Sequence, residues 1–168
     1  MTLDSMEKRS ILFVCLGNIC RSPAAEGIMK KLIEAEKLDL ELEVDSAGTM
    51  GYHTGEGADP RMKRHAKNRG YNLNSLARKF DPGKDFDHFD YIVTMDNQNY
   101  SDIKDLDFKN KFNHKIFKMA DFCKNNNITE VPDPYYEGDE GFSQVIDILE
   151  EGCSNLLIKI KKENDSSK

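Results

Sequence analysis

Residues 14–24 read Val14-Cys15-Leu16-Gly17-Asn18-Ile19-Cys20-Arg21-Ser22-Pro23-Ala24, and few folds can house that order. The apolar run before it, Ile11-Leu12-Phe13-Val14, suits a strand buried on both faces. Ser22-Pro23 reads as a helix start, with Ser as N-cap and Pro at the first helical position. A strand that passes through a short loop into a helix places the loop's own N–H groups, backed by the helix N-terminus, around a natural anion site. Gly17 takes positive φ freely and Asn18 tolerates it, so the chain can curl until successive N–H groups converge.

The chemistry follows from what borders that site. Cys15 stands at its mouth, where the helix N-terminus and Arg21 both direct positive potential toward the sulfur. The Arg21 fork matches two oxygens of a tetrahedral oxyanion. The Ser22 hydroxyl either caps the helix or donates to the sulfur, stabilising it later as a leaving group. A thiolate beneath a phosphate cradle points to attack on phosphorus through a phosphocysteine intermediate. The competing account is a plain strand–turn–helix with a buried Cys. The spacing of thiol, guanidinium and hydroxyl, flanked by strand and Ser-Pro, makes that coincidence rare.

The run from Val14 to Pro23 resembles the phosphate-binding loop of the low-molecular-weight protein tyrosine phosphatases. Asp45-Ser46-Ala47-Gly48-Thr49, Met95-Asp96, Asp133-Pro134-Tyr135-Tyr136, and Gly152-Cys153 followed by Leu156-Leu157 resemble the same family in the same order. The resemblance covers residues 10–161 and implies one α/β domain with a four-stranded parallel sheet of order 2-1-3-4, helices on both faces. Residues 1–9 are expected to be a flexible segment and residues 162–168 a flexible tail.

A chain of 168 residues suits a single core. Its net charge of −6, with no basic stripe outside the last residues, argues against nucleic acid as a partner. No apolar run reaches membrane-spanning length, so no membrane contact is expected. Cys15, Cys20, Cys123 and Cys153 lack the spacing of a zinc site or disulfide framework, and the four histidines are scattered, so no metal or cofactor is expected. A reducing cytoplasm and a monomer complete the expectation.

Local patterns place the remaining elements. A helix is expected over residues 23–36, a strand over 42–46, and a Gly-rich surface loop over 47–57 carrying Tyr52 and His53. Asp59-Pro60 starts a helix that Asn68-Arg69-Gly70 ends. Residues 73–87 read as irregular. Tyr91-Ile92-Val93-Thr94-Met95 is the clearest strand, and a short helix follows Asp96 over 97–105. Lys115-Ile116-Phe117-Lys118 reads as a fourth strand. Phe142, Val145, Ile146, Leu149, Cys153, Leu156, Leu157 and Ile160 recur at helical spacing. Alternating strands and helices imply a covered parallel sheet, and Cys15, Ser46 and Asp96 all fall at strand carboxyl ends, where such sheets bind ligands.

Read alone, Asp133 is as well explained by an Asx-turn between prolines as by catalysis. The resemblance implies a general acid that protonates the departing phenolate and later deprotonates water. It further implies that residues 16–22 (Leu16, Gly17, Asn18, Ile19, Cys20, Arg21, Ser22) hold the phosphate, that Tyr52, Tyr135 and Tyr136 wall an aromatic slot, and that Asn18 and Ser46 brace the loop, although Ser46 read alone is equally a strand-end cap. Ser75 stands where many relatives carry His, which removes one supporting bond. Asp96 either orients Arg21 or caps the helix after it. Cys123 and Cys153 read as core residues. Cys20 is close enough along the loop to form a protective disulfide with an oxidised Cys15.

The expected activity is hydrolysis of phosphotyrosine in proteins, and of aryl phosphates, with phosphate or similar oxyanions as ligands. Two rivals share the architecture. Arginine phosphatases carry Thr where Ile19 stands, and arsenate reductases need two further cysteines close together, whereas Cys123 and Cys153 are far apart. A phosphotyrosine-binding module without turnover is the reading from another class. Such proteins lose the nucleophile, the arginine or the acid, and this chain has all three.

Overall fold

The computed structural model describes residues 6–167; residues 1–5 and 168 lie outside the described residues, together with the parts of the expected flexible ends that fall on them. Four strands, β1 (Glu7–Cys15), β2 (Leu40–Gly48), β3 (Tyr91–Thr94) and β4 (Ile116–Lys118), form one sheet in the order β2-β1-β3-β4. Every pairing is parallel. The helices are α1 (Arg21–Ala35), α2 (Pro60–Asn68), α3 (Asp85–His88), α4 (Asn97–Leu106) and α5 (Asp139–Ser166). Parallel neighbours need long crossovers, and helices occupy that chain between strands.

The alternation of β1 explains why both faces are covered. Ile11, Phe13 and Cys15 enter a core with residues of α1, α2 and α5, whereas Leu12 and Val14 enter a second core with Phe86 of α3 and Ile103 of α4. Ile11 through Val14 are all 0% exposed. The register sets Cys15 beside Gly48 and Val14 beside Thr94, so the carboxyl ends of three strands finish level. The first core rests on α5, where Phe142, Ile146, Leu149, Cys153, Leu156 and Ile160 are fully buried. Each large aliphatic or aromatic side chain of that face is worth about 1.5–3 kcal/mol of burial.

Several boundaries move. β1 begins at Glu7, and Glu7, Lys8 and Arg9 pair with Leu40, Glu41 and Leu42, so residues 7–9 are strand rather than flexible segment. Their side chains are largely exposed, which is why the sequence there is polar. At the other end α5 runs to Ser166, through most of the expected tail. Tyr91 donates its hydroxyl to Glu163, and Asn164, fully buried one turn after Ile160, donates Nδ2 to Asp39 Oδ1 at 3.2 Å. A polar residue on the buried stripe disguises a packed turn as a fraying one. α3 interrupts the stretch read as irregular, and β2 extends beyond its expected span at both ends. Among the described residues no helix is long and apolar enough to cross a membrane.

Candidate active site

The loop after β1 is shaped by where its carbonyls go. Cys15 O accepts from Thr49 N–H at 2.9 Å, Leu16 O from Met50 N–H at 2.9 Å, and Ile19 O from Asp59 N–H at 2.8 Å. With those acceptors tied to flanking chain, no protein acceptor among the described residues meets the N–H groups of Leu16, Gly17, Ile19 or Cys20. Such a set of free donors at the start of a 15-residue helix suits a tetrahedral anion. Asn18 supplies the sharp turn at φ 58°, and Gly17, the other candidate, keeps negative φ. Gly48 must be glycine for a different reason: a Cβ there would lie 2.7 Å from Leu16 O.

Ser22 does not cap α1. Cys20 occupies the N-cap position with no side-chain bond, and the Ser22 hydroxyl lies 3.0 Å from Cys15 Sγ. Of the two roles open to Ser22, the bond to the sulfur is the one made. Asn18 Nδ2 donates to Ser22 Oγ at 2.8 Å and to Ser46 Oγ at 2.9 Å. Ser46 Oγ donates to Glu26 Oε1 at 2.6 Å, and Lys30 Nζ donates to Glu26 Oε2 at 2.6 Å. This chain of bonds runs from a buried carboxylate to the sulfur. Asn18 Oδ1 accepts from Arg78 N–H at 2.9 Å, while the Arg78 guanidinium spans Asp45 and Asp85. Asn18 and Ser22 therefore brace the loop from behind rather than line the cavity. Ser75 lies beside Glu26 and Lys30 in a separate 200 Å³ cavity, and Glu26 anchors Ser46 without it.

Arg21 is 2% exposed. Its Nη1 donates to Asp96 Oδ2 at 2.6 Å and to Val131 O at 3.0 Å, and Nη2 lies 3.6 Å from Asp133 Oδ2. Burial alone would lower the guanidinium's pKa; Cys15, Asp96 and Asp133 outweigh it and hold the group above its ordinary value. Asp96 fills both roles the sequence left open, because its Oδ1 accepts from Asn99 N–H at 2.7 Å and caps α4. Asp133 also keeps its turn function, accepting from Tyr135 N–H at 3.0 Å.

A cavity of about 290 Å³ opens between these groups. It is lined by Cys15, Leu16, Gly17, Ile19, Cys20 and Arg21 of the loop and by Tyr52, His53, Asp133, Tyr135 and Tyr136. Tyr135 and Tyr136 meet edge to face at 5.0 Å. Tyr52 and Tyr136 are 78% and 92% exposed, so they offer ring faces to whatever enters.

Four contributors were missed in the sequence. His53 lines the cavity, its Nδ1 2.5 Å from Glu56 Oε2, and Arg78 and Glu26 brace the loop from outside. Arg61 of α2 pairs with Asp59 and faces Tyr135. Glu26, His53 and Arg61 each have a charged neighbour close in sequence, Lys30, Glu56 and Asp59, but the contacts that join Glu26, Arg78 and Arg61 to the site, with Ser46, Asn18 and Tyr135, are distant in sequence. Cys153 is fully buried and Cys123 partly so, as expected of core residues, and all four thiols are free.

A family model described as low molecular weight phosphotyrosine protein phosphatase matches residues 10–166. The crystal structure of a protein tyrosine phosphatase from Entamoeba histolytica superposes with a TM-score of 0.86 at 52% identity, covering 93% of this chain and 99% of that one. A low molecular weight phosphotyrosine protein phosphatase of Gallus gallus is 36% identical, over 91% of this chain and 96% of its own length. A Drosophila arginine phosphatase structure aligns with a TM-score of 0.84 at 32% identity, covering 90% of this chain and 97% of that one.

Proposed function

The chain belongs to the low molecular weight phosphotyrosine protein phosphatase family, and from that premise we propose how its residues divide the work of hydrolysing a phosphotyrosine ester. The phosphoryl group sits in the loop formed by residues 16–21, held by backbone N–H groups and by the Arg21 fork. Cys15 Sγ attacks phosphorus from below, and Asp133 gives its proton to the departing phenolate oxygen. The resulting phosphocysteine is then hydrolysed by a water that loses its proton to the Asp133 carboxylate. Ser22 donates to the sulfur as it leaves. The aromatic rim of Tyr52, Tyr135 and Tyr136 admits a phenyl ring and keeps the phosphate at a depth an aliphatic phosphoester reaches poorly. The enzyme works as a monomer without cofactor, and Ile19, which has no hydroxyl, favours phosphotyrosine over phosphoarginine.

One observation carries the reading: a thiol 3.0 Å from a serine hydroxyl opens into the same cavity as Arg21 and Asp133. The test is Cys15→Ser, assayed on p-nitrophenyl phosphate and a phosphotyrosine peptide. Turnover should vanish while phosphotyrosine peptide still binds. Hydrolysis by the variant at a rate near wild type would reject the thiolate mechanism.

A further inference from the structure

Asp133 lies in a segment, residues 131–138, with neither helix nor strand of its own. A general acid must nevertheless hold its proton within hydrogen-bond reach of one oxygen. Arg21 fixes Val131 O on one side of the segment. On the other side stands Arg61. Its Nε and Nη2 reach Asp59 Oδ1 and Oδ2 at 3.2 and 2.9 Å. Its Cζ lies 5.2 Å from the centroid of Tyr135 and 4.8 Å from that of Phe142. Phe142, in α5, is fully buried and so gives a fixed reference. Asp59 is tied to the phosphate loop through its N–H bond to Ile19 O. A continuous path thus runs from the loop through the Asp59 carboxylate and the guanidinium plane to the ring two residues after the acid. Tyr135 closes the path by donating its own N–H to Asp133 Oδ1.

Arg61 does not line the active-site cavity. Its contacts use a guanidinium twice over, the edge in a fork against a carboxylate and the ring neighbours through cation–π attraction, which an ammonium cannot reproduce together. We propose that Arg61 is a positioning residue for the general acid: it fixes Tyr135, and through it Asp133, at a set distance from the phosphate loop. The inference rests on Asp133 being that acid.

The test follows kcat/KM, which reports transfer to Cys15, over aryl phosphates whose phenols range from poor to well-stabilised leaving groups. Wild type, Asp133→Ala, Arg61→Met and Arg61→Lys are compared. Arg61→Met should lose about tenfold on phenyl phosphate, part of the range a general acid supplies, and little on the best leaving group. Arg61→Lys should behave likewise, and it decides the matter if the Met variant does not fold. Inhibition by inorganic phosphate should hold within about twofold in both, since the phosphate loop is intact. In a Tyr135→Leu background the Arg61 substitution should cost nothing further. Equal losses for all leaving groups, a parallel loss of phosphate inhibition, or full cost without the Tyr135 ring would each overturn the positioning role. The outcomes separate cleanly from the acid assignment: a flat Asp133→Ala profile removes both, whereas a steep one beside a flat Arg61→Met profile removes Arg61 alone.

Discussion

Cys20 shows how a residue's chemistry depends on what the fold puts around it. Burial pushes its thiol above the ordinary range, and Asp59, Cys15 and Asp133 add to the shift while Arg61 opposes it. A resolving step in which a Cys20 thiolate attacks a sulfenic acid left on Cys15 by peroxide and expels hydroxide should therefore be slow near neutral pH. Wild type treated with peroxide should recover activity in dithiothreitol, and Cys20→Ser should not. The recoverable share should also grow as pH rises from about 6 to about 9, because more of Cys20 is thiolate there. Mass spectrometry of Cys15 with activity recovery measures both. Equal recovery in wild type and the serine variant would end the protective role, and recovery that ignores pH would mean that deprotonation of Cys20 is not the slow step.

The start of α2 is the element where local and distant chemistry meet. Asp59 caps the helix through Arg61 N–H at 2.8 Å and pairs with the Arg61 side chain. Burial would raise the Asp59 pKa, but the bonds from Arg61 and from Met62 N–H more than offset this and hold it below its ordinary value. A carboxylate depressed on folding contributes stability that is full above its unfolded pKa of about 3.9 and is lost as pH falls through the lower folded value. Asp59→Asn keeps a capping oxygen but removes the negative charge at the helix N-terminus, so it should cost about 0.3–1 kcal/mol near neutral pH, and that gap should close at strongly acid pH. Urea midpoints across the range check it; a gap independent of pH would mean that the charge is not the source. The same element marks the border of what the sequence discloses. Asp59-Pro60 announces the cap because capping is a contact between near neighbours, and the β1 run, the loop spacing and the apolar stripe of α5 are legible for the same reason. The cation–π contact of Arg61 with Tyr135, the bracing by Arg78 and the hydrogen bond of Asn164 to Asp39 join residues far apart, and no local pattern encodes them. Ser22 was legible as a hydroxyl beside a helix start, but its partner was decided by the fold: the N-cap position fell to Cys20.

At the scale of the whole molecule, the sheet's parallel order has a consequence in time. β1 is bonded on one edge to β2 and on the other to β3, and the Ser10 N–H reaches a carboxylate 80 residues later at Asp90. Pairings of that separation must close long loops before any contact rewards them, so they form late. The core beneath β1 also needs α5, which follows all four strands in sequence. A growing or refolding chain therefore carries Cys15 with neither the arginine clamped nor the acid in reach until those pairings form. Phosphatase activity recovered from urea should return with the rate constant of the slowest step in far-UV ellipticity; activity that returned ahead of it would show that the site assembles locally. On this account the order of synthesis acts as a safety interlock: the reactive sulfur is the first part of the site to be made, and it is armed only when the final helix seats.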